Sequence, residues 1–252
     1  MTQIPVLFVE GTTGVAVNPV KRLYDAFAQA CGAVLVALPD HGIRDIWATD
    51  IAFAAIVDEL LGRTADTPEA NEPPAILVGH SAAGPHIAMY LTRHPGDRAI
   101  LVSSPMEGLD YLRPVNDTLR LTTKLGLPAV RNLVHHLFPL IEDLSPESRF
   151  LAEVRSMAHL YADRVMVIAA AHDHVVPWRS SVIPGAPTML LVESEEEYRR
   201  HSSINGVACM IAPGAGHVEC LRQATVIALI GHYIAECLSA CASSAPLHLA
   251  SA

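Results

Sequence analysis

Short apolar runs alternate along the chain with longer amphipathic stretches. Six of these runs are nearly continuous, as strands buried on both faces of a parallel sheet require. They lie at residues 5–9, 33–38, 75–78, 99–103, 165–170 and 207–211. Strands separated by helical stretches are typical of an α/β protein with helices on the faces of a mostly parallel sheet. We therefore predict about six strands in one sheet.

Helical periodicity fills the segments between these runs. Residues 20–30 place Val20, Leu23 and Phe27 on one helical stripe, and residues 45–61 show the same spacing. Residues 81–93 follow the third strand directly, and residues 219–238 form the last predicted helix. A polar, proline-rich segment at residues 64–74 predicts a surface loop.

One region breaks the alternation. Residues 105–160 contain no convincing strand, only helical patterning at 119–125, 130–140 and 150–160 that several prolines interrupt. An insertion of this size predicts a helical cap over an active site; the alternative is that these helices simply cover the sheet. The predicted organisation is an α/β core of residues 1–104 and 161–240, a helical cap at 105–160 and a weakly structured tail at 241–252.

Composition narrows the class of protein. The 252 residues are 51% hydrophobic and 17% charged, which excludes a disordered chain. The net charge of −9, without a basic run, makes nucleic acid and anionic membranes poor partners, and no apolar stretch is long enough to span a bilayer. The N-terminus has no basic region, and the five cysteines show neither metal spacing nor a disulfide framework. These features favour a cytoplasmic protein with reduced thiols.

The strongest local motif is Gly79-His80-Ser81-Ala82-Ala83, which lies between the third predicted strand and a predicted helix. It nearly matches the nucleophile elbow G-x-S-x-G, with Ala83 in place of the second glycine. The serine of such an elbow occupies a tight, strained turn, and its neighbours must be small because strand and helix pass close together. The helix N-terminus beside Ser81 favours a developing negative charge.

A serine hydroxyl is a weak nucleophile and needs a base that a third group orients. Asp173 lies in the loop after the strand at 165–170, and His217 lies in the glycine-rich segment 213–219 after the last predicted strand. The order serine, acid, histidine is the order that an α/β-hydrolase requires. The three residues are therefore candidates for a catalytic triad.

The remaining polar clusters have ordinary interpretations. His80, His172 and His174 flank the candidate triad and are predicted to be structural or solvent-exposed. The sequence lacks a metal-binding pattern such as H-E-x-x-H, so we expect neither a metal nor another cofactor. The acidic run at 193–197 predicts a solvated surface segment.

Together these motifs resemble the α/β-hydrolase superfamily, and more specifically its small bacterial triacylglycerol-lipase and esterase branch. The resemblance covers most of residues 4–238, and the likeness to the branch rests on a start at the oxyanion strand and on residues 144–151 and 183–186. It implies that Ser81 attacks a carbonyl, that His217 transfers the proton and that Asp173 orients His217. It also implies an oxyanion hole formed by the backbone N–H groups of Ala82 and Thr12.

The sequence departs from the family pattern at Glu10-Gly11, where the family usually has His-Gly. An ionised carboxylate beside an oxyanion hole would repel the tetrahedral intermediate. Glu10 therefore points away, is protonated or serves a different chemistry as an acid or substrate anchor. The alternative is a structural role in which Glu10 accepts hydrogen bonds from loop N–H groups such as those of Thr12 or Thr13.

A pocket above Ser81 is outlined only by apolar residues of the predicted cap, most of which would belong to the core in an ordinary helix stripe. The candidates for substrate contact in this region are Met106, Tyr111 and Phe138. The sequence carries no signal of the oligomeric state.

These observations favour a serine hydrolase that cleaves a carboxylic ester of a small or medium hydrophobic substrate through an acyl-enzyme at Ser81. The partner is then a small-molecule acyl ester. The alternative is a lyase of the same fold that eliminates a carboxylate, such as acetate from an acylated polyketide or tetronate-like intermediate, with His217 abstracting a carbon-bound proton. Glu10 favours this alternative, as does the lack of an export signal, because the lipases that the chain resembles are mostly exported. A third class, a ligand receptor without turnover, keeps the pocket but not the reaction.

Overall fold

A computed structural model describes residues 4–11, 18–39, 45–63, 74–114, 117, 143–202 and 207–243. Within these residues, seven parallel strands form one sheet in the order β2-β1-β3-β4-β5-β6-β7. Because all the strands are parallel, the segments that follow them emerge at one edge of the sheet. The strands are β1 (Val6–Val9), β2 (Val34–Val36), β3 (Ile76–His80), β4 (Arg98–Val102), β5 (Val165–Ala170), β6 (Thr188–Val192) and β7 (Val207–Ile211).

The strand β6 corrects the predicted count of six. Its sequence TMLLV is fully buried and pairs with β5 on one side and β7 on the other. The run is only five residues long and stands between Pro187 and the acidic segment, so no periodicity marks it as a strand. Tertiary pairing explains this strand, because β6 lies between β5 and β7 and β7 pairs with the sheet through β6.

Seven helices flank the sheet in the described part of the chain. The predicted helix at 45–61 begins one residue later, because the Asp45 carboxylate accepts the N–H groups of Trp47 and Ala48 and so caps the helix. The predicted helix at 219–238 is divided into a 3₁₀ turn at Glu219–Arg222 and a helix that extends three residues into the predicted tail. The helices are α1 (Asn18–Ala30), α2 (Ile46–Leu61), α3 (Ala83–Arg93), α4 (Arg149–Ser156), α5 (Trp178–Ser181), α6 (Glu195–His201) and α7 (Ala224–Ser243).

Two apolar clusters cover the two faces of the sheet. In β4, Leu101 packs in the cluster that contains residues of α2, α3 and α4, whereas Ile100 packs in the cluster that contains residues of α1 and α7. Alternate residues of a strand point to opposite faces, so burial on both faces requires a continuous apolar run. This is why continuous apolar runs in the sequence predicted the central strands.

The region predicted as a cap is described in part. Its last predicted helix, at 150–160, is α4 followed by a 3₁₀ turn at Ala158–Leu160. Phe150, Leu151 and Val154 of α4 are buried in the main core, and Phe150 meets the Trp47 ring edge-on at 5.0 Å. This helix therefore covers the sheet, as the alternative interpretation proposed. The predicted helices at 119–125 and 130–140 lie outside the described residues.

Candidate active site

Ser81 lies in a strained turn directly after β3. Its φ is +54°, and α3 begins two residues later at Ala83. A non-glycine residue in this left-handed region costs about 1–3 kcal/mol, which surrounding contacts must offset. The Ser81 N–H donates to the Val102 carbonyl at 3.0 Å, and the Gly84 N–H donates to the Ser81 carbonyl at 3.1 Å. The turn is thereby held on both sides.

The structure brings the three predicted triad residues together. His217 Nε2 lies 3.1 Å from Ser81 Oγ, and His217 Nδ1 lies 2.8 Å from Asp173 Oδ2. Asp173 follows β5 and His217 follows β7, so the parallel sheet delivers both to the edge where β3 ends. The arrangement has the geometry that a nucleophile, base and orienting acid require.

Asp173 is held as an anion. Its Oδ1 accepts the backbone N–H groups of Val175 and Val176 at 2.8 and 2.7 Å. Burial raises the pKa of Asp173, but the hydrogen bond and charge of His217 and the two N–H groups outweigh burial and lower the pKa below its usual value. The carboxylate is therefore available to fix the His217 ring at neutral pH.

The backbone amide of Ala82 lies at the start of α3. Within the described residues, this amide donates to no backbone carbonyl, which fits the predicted role as an oxyanion donor. Thr12, the other predicted donor, lies outside the described residues. The adjoining Gly11 touches the elbow: a Cβ on Gly11 would lie 2.8 Å from both Ser81 Cβ and the His80 carbonyl oxygen. The segment after β1 can approach the nucleophile because this residue is glycine.

Small residues around the elbow have unequal importance. Ala83, in the position of the second motif glycine, is fully buried without conflict. The following residue, Gly84, packs directly on Ser104, and a Cβ there would overlap both Ser104 Cβ and Oγ. The strict requirement for glycine thus falls one residue beyond the motif, at a contact that the sequence pattern did not reveal.

Glu10 is buried at the end of β1, with 5% of its surface exposed. Its backbone N–H donates to the Val36 carbonyl at 3.0 Å. Burial and then the nearby Glu10 charge raise the pKa of Tyr24, while the Gly11 amide acts in the opposite direction.

A small apolar cluster adjoins the proposed oxyanion donor. Ala82, Leu109, Leu144 and Val176 are buried together, and Leu112 packs against them. Leu144 and Val176 were not among the predicted substrate contacts, since each is an ordinary apolar residue in a loop. The cluster thus includes Ala82, whose backbone amide is the proposed oxyanion donor.

The predicted substrate contacts have different surroundings. Met106 is 2% exposed and packs in the main core near Gly84. Tyr111 is half exposed, its hydroxyl donates to the Val175 carbonyl at 3.0 Å, and burial followed by the Asp173 charge raises its pKa. Phe138 lies outside the described residues.

A separate cavity of about 520 Å³ has a charged lining, and Ser81 is not among the residues that line it. The described residues contain no cluster of three or more side chains able to hold a metal ion. His172 Nε2 donates to the Glu197 carboxylate at the surface, and His174 is exposed. The charged residues that line the cavity are Glu107, Asp110, Arg113, Arg155 and Arg179.

Two buried residues behind the triad were not assigned a role from the sequence. His80 Nε2 lies 2.7 Å from the His217 carbonyl oxygen, and His80 Nδ1 lies 2.9 Å from the Tyr24 hydroxyl. His80 was predicted to be structural or exposed, and it is 1% exposed. No pattern in the sequence pointed to Tyr24, because its contact with His80 spans 56 positions.

With this fold and site described, family comparison identifies the class of protein. The model of the Alpha/beta hydrolase family matches residues 11–229, and the chain belongs to this family. No curated protein sequence matches the chain. No helix in the described residues is both long and apolar enough to cross a membrane.

Solved structures share the fold at low sequence identity. A structure described with the metagenome-derived lipolytic enzymes LipS and LipT aligns with a TM-score of 0.55 and 15% identity, covering 94% of each chain. Est1E from Butyrivibrio proteoclasticus aligns with a TM-score of 0.50 and 12% identity, over 95% of this chain and 90% of its own. The putative non-heme bromoperoxidase BpoC from Mycobacterium tuberculosis H37Rv aligns with a TM-score of 0.50 and 14% identity, over 95% and 93%. The fold is therefore shared with proteins described under different chemistries.

Proposed function

We propose that this protein is a serine hydrolase that cleaves carboxylic esters of small or medium hydrophobic substrates. The observation that carries the proposal is the continuous set of contacts from Asp173 through His217 to Ser81, with Ser81 in a strained turn at a helix start. A hydroxyl becomes nucleophilic when such a base removes its proton during attack.

The proposed reaction proceeds in two halves. Ser81 Oγ forms a bond to the ester carbonyl carbon while His217 Nε2 takes the hydroxyl proton. The Ala82 amide, with the Thr12 amide assigned as second donor from the family resemblance, stabilises the resulting oxyanion. The C–O bond then breaks, His217 returns the proton to the departing alcohol, and water releases the acid from acyl-Ser81 by the same steps.

The surroundings of the site support the hydrophobic substrate class. The apolar cluster of Leu109, Leu144 and Val176 lies against Ala82, so an acyl chain would be desolvated beside the oxyanion donor. The 520 Å³ cavity is less suited to that chain, because arginine and carboxylate groups line it. Within the predicted cap at 105–160, we retain the part that precedes α4 as a proposed cap, since it contributes Leu109 and Leu144. The free thiols of Cys31, Cys209 and Cys220 support a reducing, cytoplasmic location.

Covalent labelling tests this proposal. A fluorophosphonate should phosphonylate Ser81 in the folded protein, and peptide mass mapping should place the adduct there. Ser81→Ala should abolish labelling and hydrolysis of 4-nitrophenyl butyrate while leaving the circular dichroism spectrum unchanged. Labelling elsewhere, or none at all, would contradict the assignment.

The buried Glu10 favours one alternative, elimination of a carboxylate from an acylated biosynthetic intermediate. In this reaction His217 takes a carbon-bound proton, a C=C bond forms, and the carboxylate departs with its bonding electron pair, so no water is consumed. Turnover of an acetylated test substrate in H₂¹⁸O separates the two reactions. Hydrolysis through an acyl-enzyme places ¹⁸O in the released acid, whereas elimination leaves the acid unlabelled.

A further inference from the structure

We propose that His80 and Tyr24 are positioning residues that hold the backbone of His217 against the catalytic edge through one buried, directional hydrogen-bond chain. The proposal rests on the proposed function, because it concerns how the assigned base is held. We call these two hydrogen bonds, from Tyr24 to His80 and from His80 to the His217 carbonyl, the relay.

The relay joins parts of the protein that are far apart in sequence. The imidazole of His80 reaches the His217 carbonyl at 2.7 Å across 137 positions and the Tyr24 hydroxyl at 2.9 Å across 56 positions. His80 is 1% exposed and Tyr24 is 3% exposed. Water therefore does not replace either bond, and loss of one partner would leave a buried polar atom unsatisfied.

The carbonyl acceptor and a neutral His80 ring together determine the direction of both hydrogen bonds in the relay. A backbone carbonyl oxygen only accepts, so His80 Nε2 must carry the hydrogen. A neutral imidazole has one N–H, so His80 Nδ1 must be the acceptor, and the Tyr24 O–H must donate to it. Of the two neutral tautomers of His80, only the one with its proton on Nε2 satisfies both contacts.

The electrostatics of the site keep this form. Burial, followed by the charge of His217, lowers the pKa of His80 to about 3, although the His217 carbonyl and Asp173 act in the opposite direction. Burial, followed by the Glu10 charge, raises the pKa of Tyr24. Near neutral pH His80 thus remains uncharged beside His217, and Tyr24 retains the hydrogen that it donates.

The relay and Asp173 act on different atoms of His217. The His80 ring contacts the His217 ring with centroids 4.7 Å apart, and the Cys220 thiol donates to the same His217 carbonyl at 3.3 Å. Asp173 fixes the ring at Nδ1, whereas the relay fixes the backbone that carries the ring. Misplacement of a reacting group by about 1 Å can cost about 100-fold in rate, so both constraints affect the Ser81 contact.

The other end of the relay reaches the segment beside the nucleophile. The Tyr24 hydroxyl would lie 3.3 Å from a Cβ on Gly11, and that same Cβ would touch Ser81. One buried phenol therefore connects the segment after β1 with the elbow and, through His80, with the loop after β7.

A pair of tyrosine variants tests the relay. Tyr24→Phe removes only the hydroxyl and should lower kcat for 4-nitrophenyl butyrate on the order of 10-fold with little change in KM, because position in the transition state is lost. The matched control is Tyr161→Phe, since Tyr161 is 1% exposed and its hydroxyl donates to the Val154 carbonyl at 3.0 Å, away from the triad. This control loses an equivalent buried bond and should retain kcat within about 2-fold.

Substitutions of His80 test the direction of its hydrogen bonds as well as its packing. His80→Gln retains a donor near the Nε2 position and should recover most of the kcat that His80→Leu loses. Nitrogen-15 NMR of the unmutated protein should show His80 neutral, with its proton on Nε2, from pH 5 to 9. The Tyr24→Phe variant should change the Nδ1 shift of His80, because the donor to that atom is gone.

The outcomes separate this proposal from the proposed function. If Ser81 of the unmutated protein is not labelled by the fluorophosphonate, the hydrolase assignment fails whatever the NMR shows. If Ser81 is labelled but Tyr24→Phe and Tyr161→Phe have equal kcat values and labelling rates, the relay has no positioning role. A His80 proton on Nδ1 would likewise overturn the relay.

Discussion

At the scale of single residues, the site depends on groups held in states that they would not adopt alone. Ser81 keeps a left-handed backbone conformation, Asp173 remains charged despite burial, and His80 remains neutral beside His217. Hydrogen-bond partners maintain the states of Ser81 and Asp173, whereas burial, followed by the charge of His217, keeps His80 neutral. The chemistry proposed for Ser81 therefore rests on these contacts as much as on the identities of the three triad residues.

The lowered pKa of Asp173 predicts how it affects stability. A carboxyl group whose pKa is lower in the folded state than its unfolded value of about 3.9 stabilises the fold above that value. This contribution is lost as pH falls through the folded-state pKa. The difference in unfolding free energy between the unmutated protein and Asp173→Asn should thus be constant from pH 5 to 7 and shrink below pH of about 4. Urea unfolding across this range measures it; a difference that grows towards acid pH would contradict the ionised state.

At the scale of the elements, the contact between β3 and α3 determines the elbow. Gly79 of β3 faces Ile87 and Ala83 of α3, and Gly84 of α3 faces Ser104 just beyond β4. Motif reasoning correctly required small residues here, but it could not identify Gly84 because Ser104 comes from a different strand connection. Periodicity similarly predicted α2 and its start near Asp45, whereas β6 required knowledge of the strands on either side.

Two glycine substitutions should have opposite effects. Gly84→Ala forces a methyl group into Ser104, a fully buried residue, and should destabilise the protein by about 1–3 kcal/mol. Gly231→Ala lies in α7 with no atom within 4 Å of the new methyl group and should stabilise it by about 0.5–1 kcal/mol, because alanine favours helices. Thermal or urea unfolding measures both. Similar stabilisation of both variants would show that helix propensity, and not the Ser104 contact, decides these positions.

At the scale of the whole molecule, a buried ion pair connects helices and strands at the edge of the sheet opposite to Ser81. Arg63, just past α2, binds both oxygens of Asp97 at 2.5 and 2.8 Å and donates to Tyr90 of α3 at 2.9 Å. Asp97 also accepts the N–H of Ala75 at the start of β3. The pair therefore ties two helices to two adjacent strands, far along the strands from Ser81.

Removal of Arg63 should show how much stability is lost when a buried charge is left without its partner. Arg63→Met leaves Asp97 buried without its cation and should destabilise the protein by about 3–5 kcal/mol. The control is Arg199→Met, whose exposed pair with Glu195 within α6 contributes less than about 1 kcal/mol. Urea unfolding compares the two. Because Arg63 lies far along the strands from Ser81, the folded Arg63→Met protein should keep its fluorophosphonate labelling rate, and selective loss of labelling would contradict this separation.

The sequence by itself determined the features that local chemistry specifies. Continuous apolar runs revealed six strands, and the elbow around Ser81 together with the loops of Asp173 and His217 named the candidate triad. Only the tertiary structure decided which buried groups meet across the sheet: β6 between its neighbours, Gly84 on Ser104, and the contacts of His80 with Tyr24 and His217. The physical reason is that periodicity and backbone strain act within a few residues, whereas hydrogen bonds and packing depend on distance in space, and a parallel sheet places residues more than a hundred positions apart side by side.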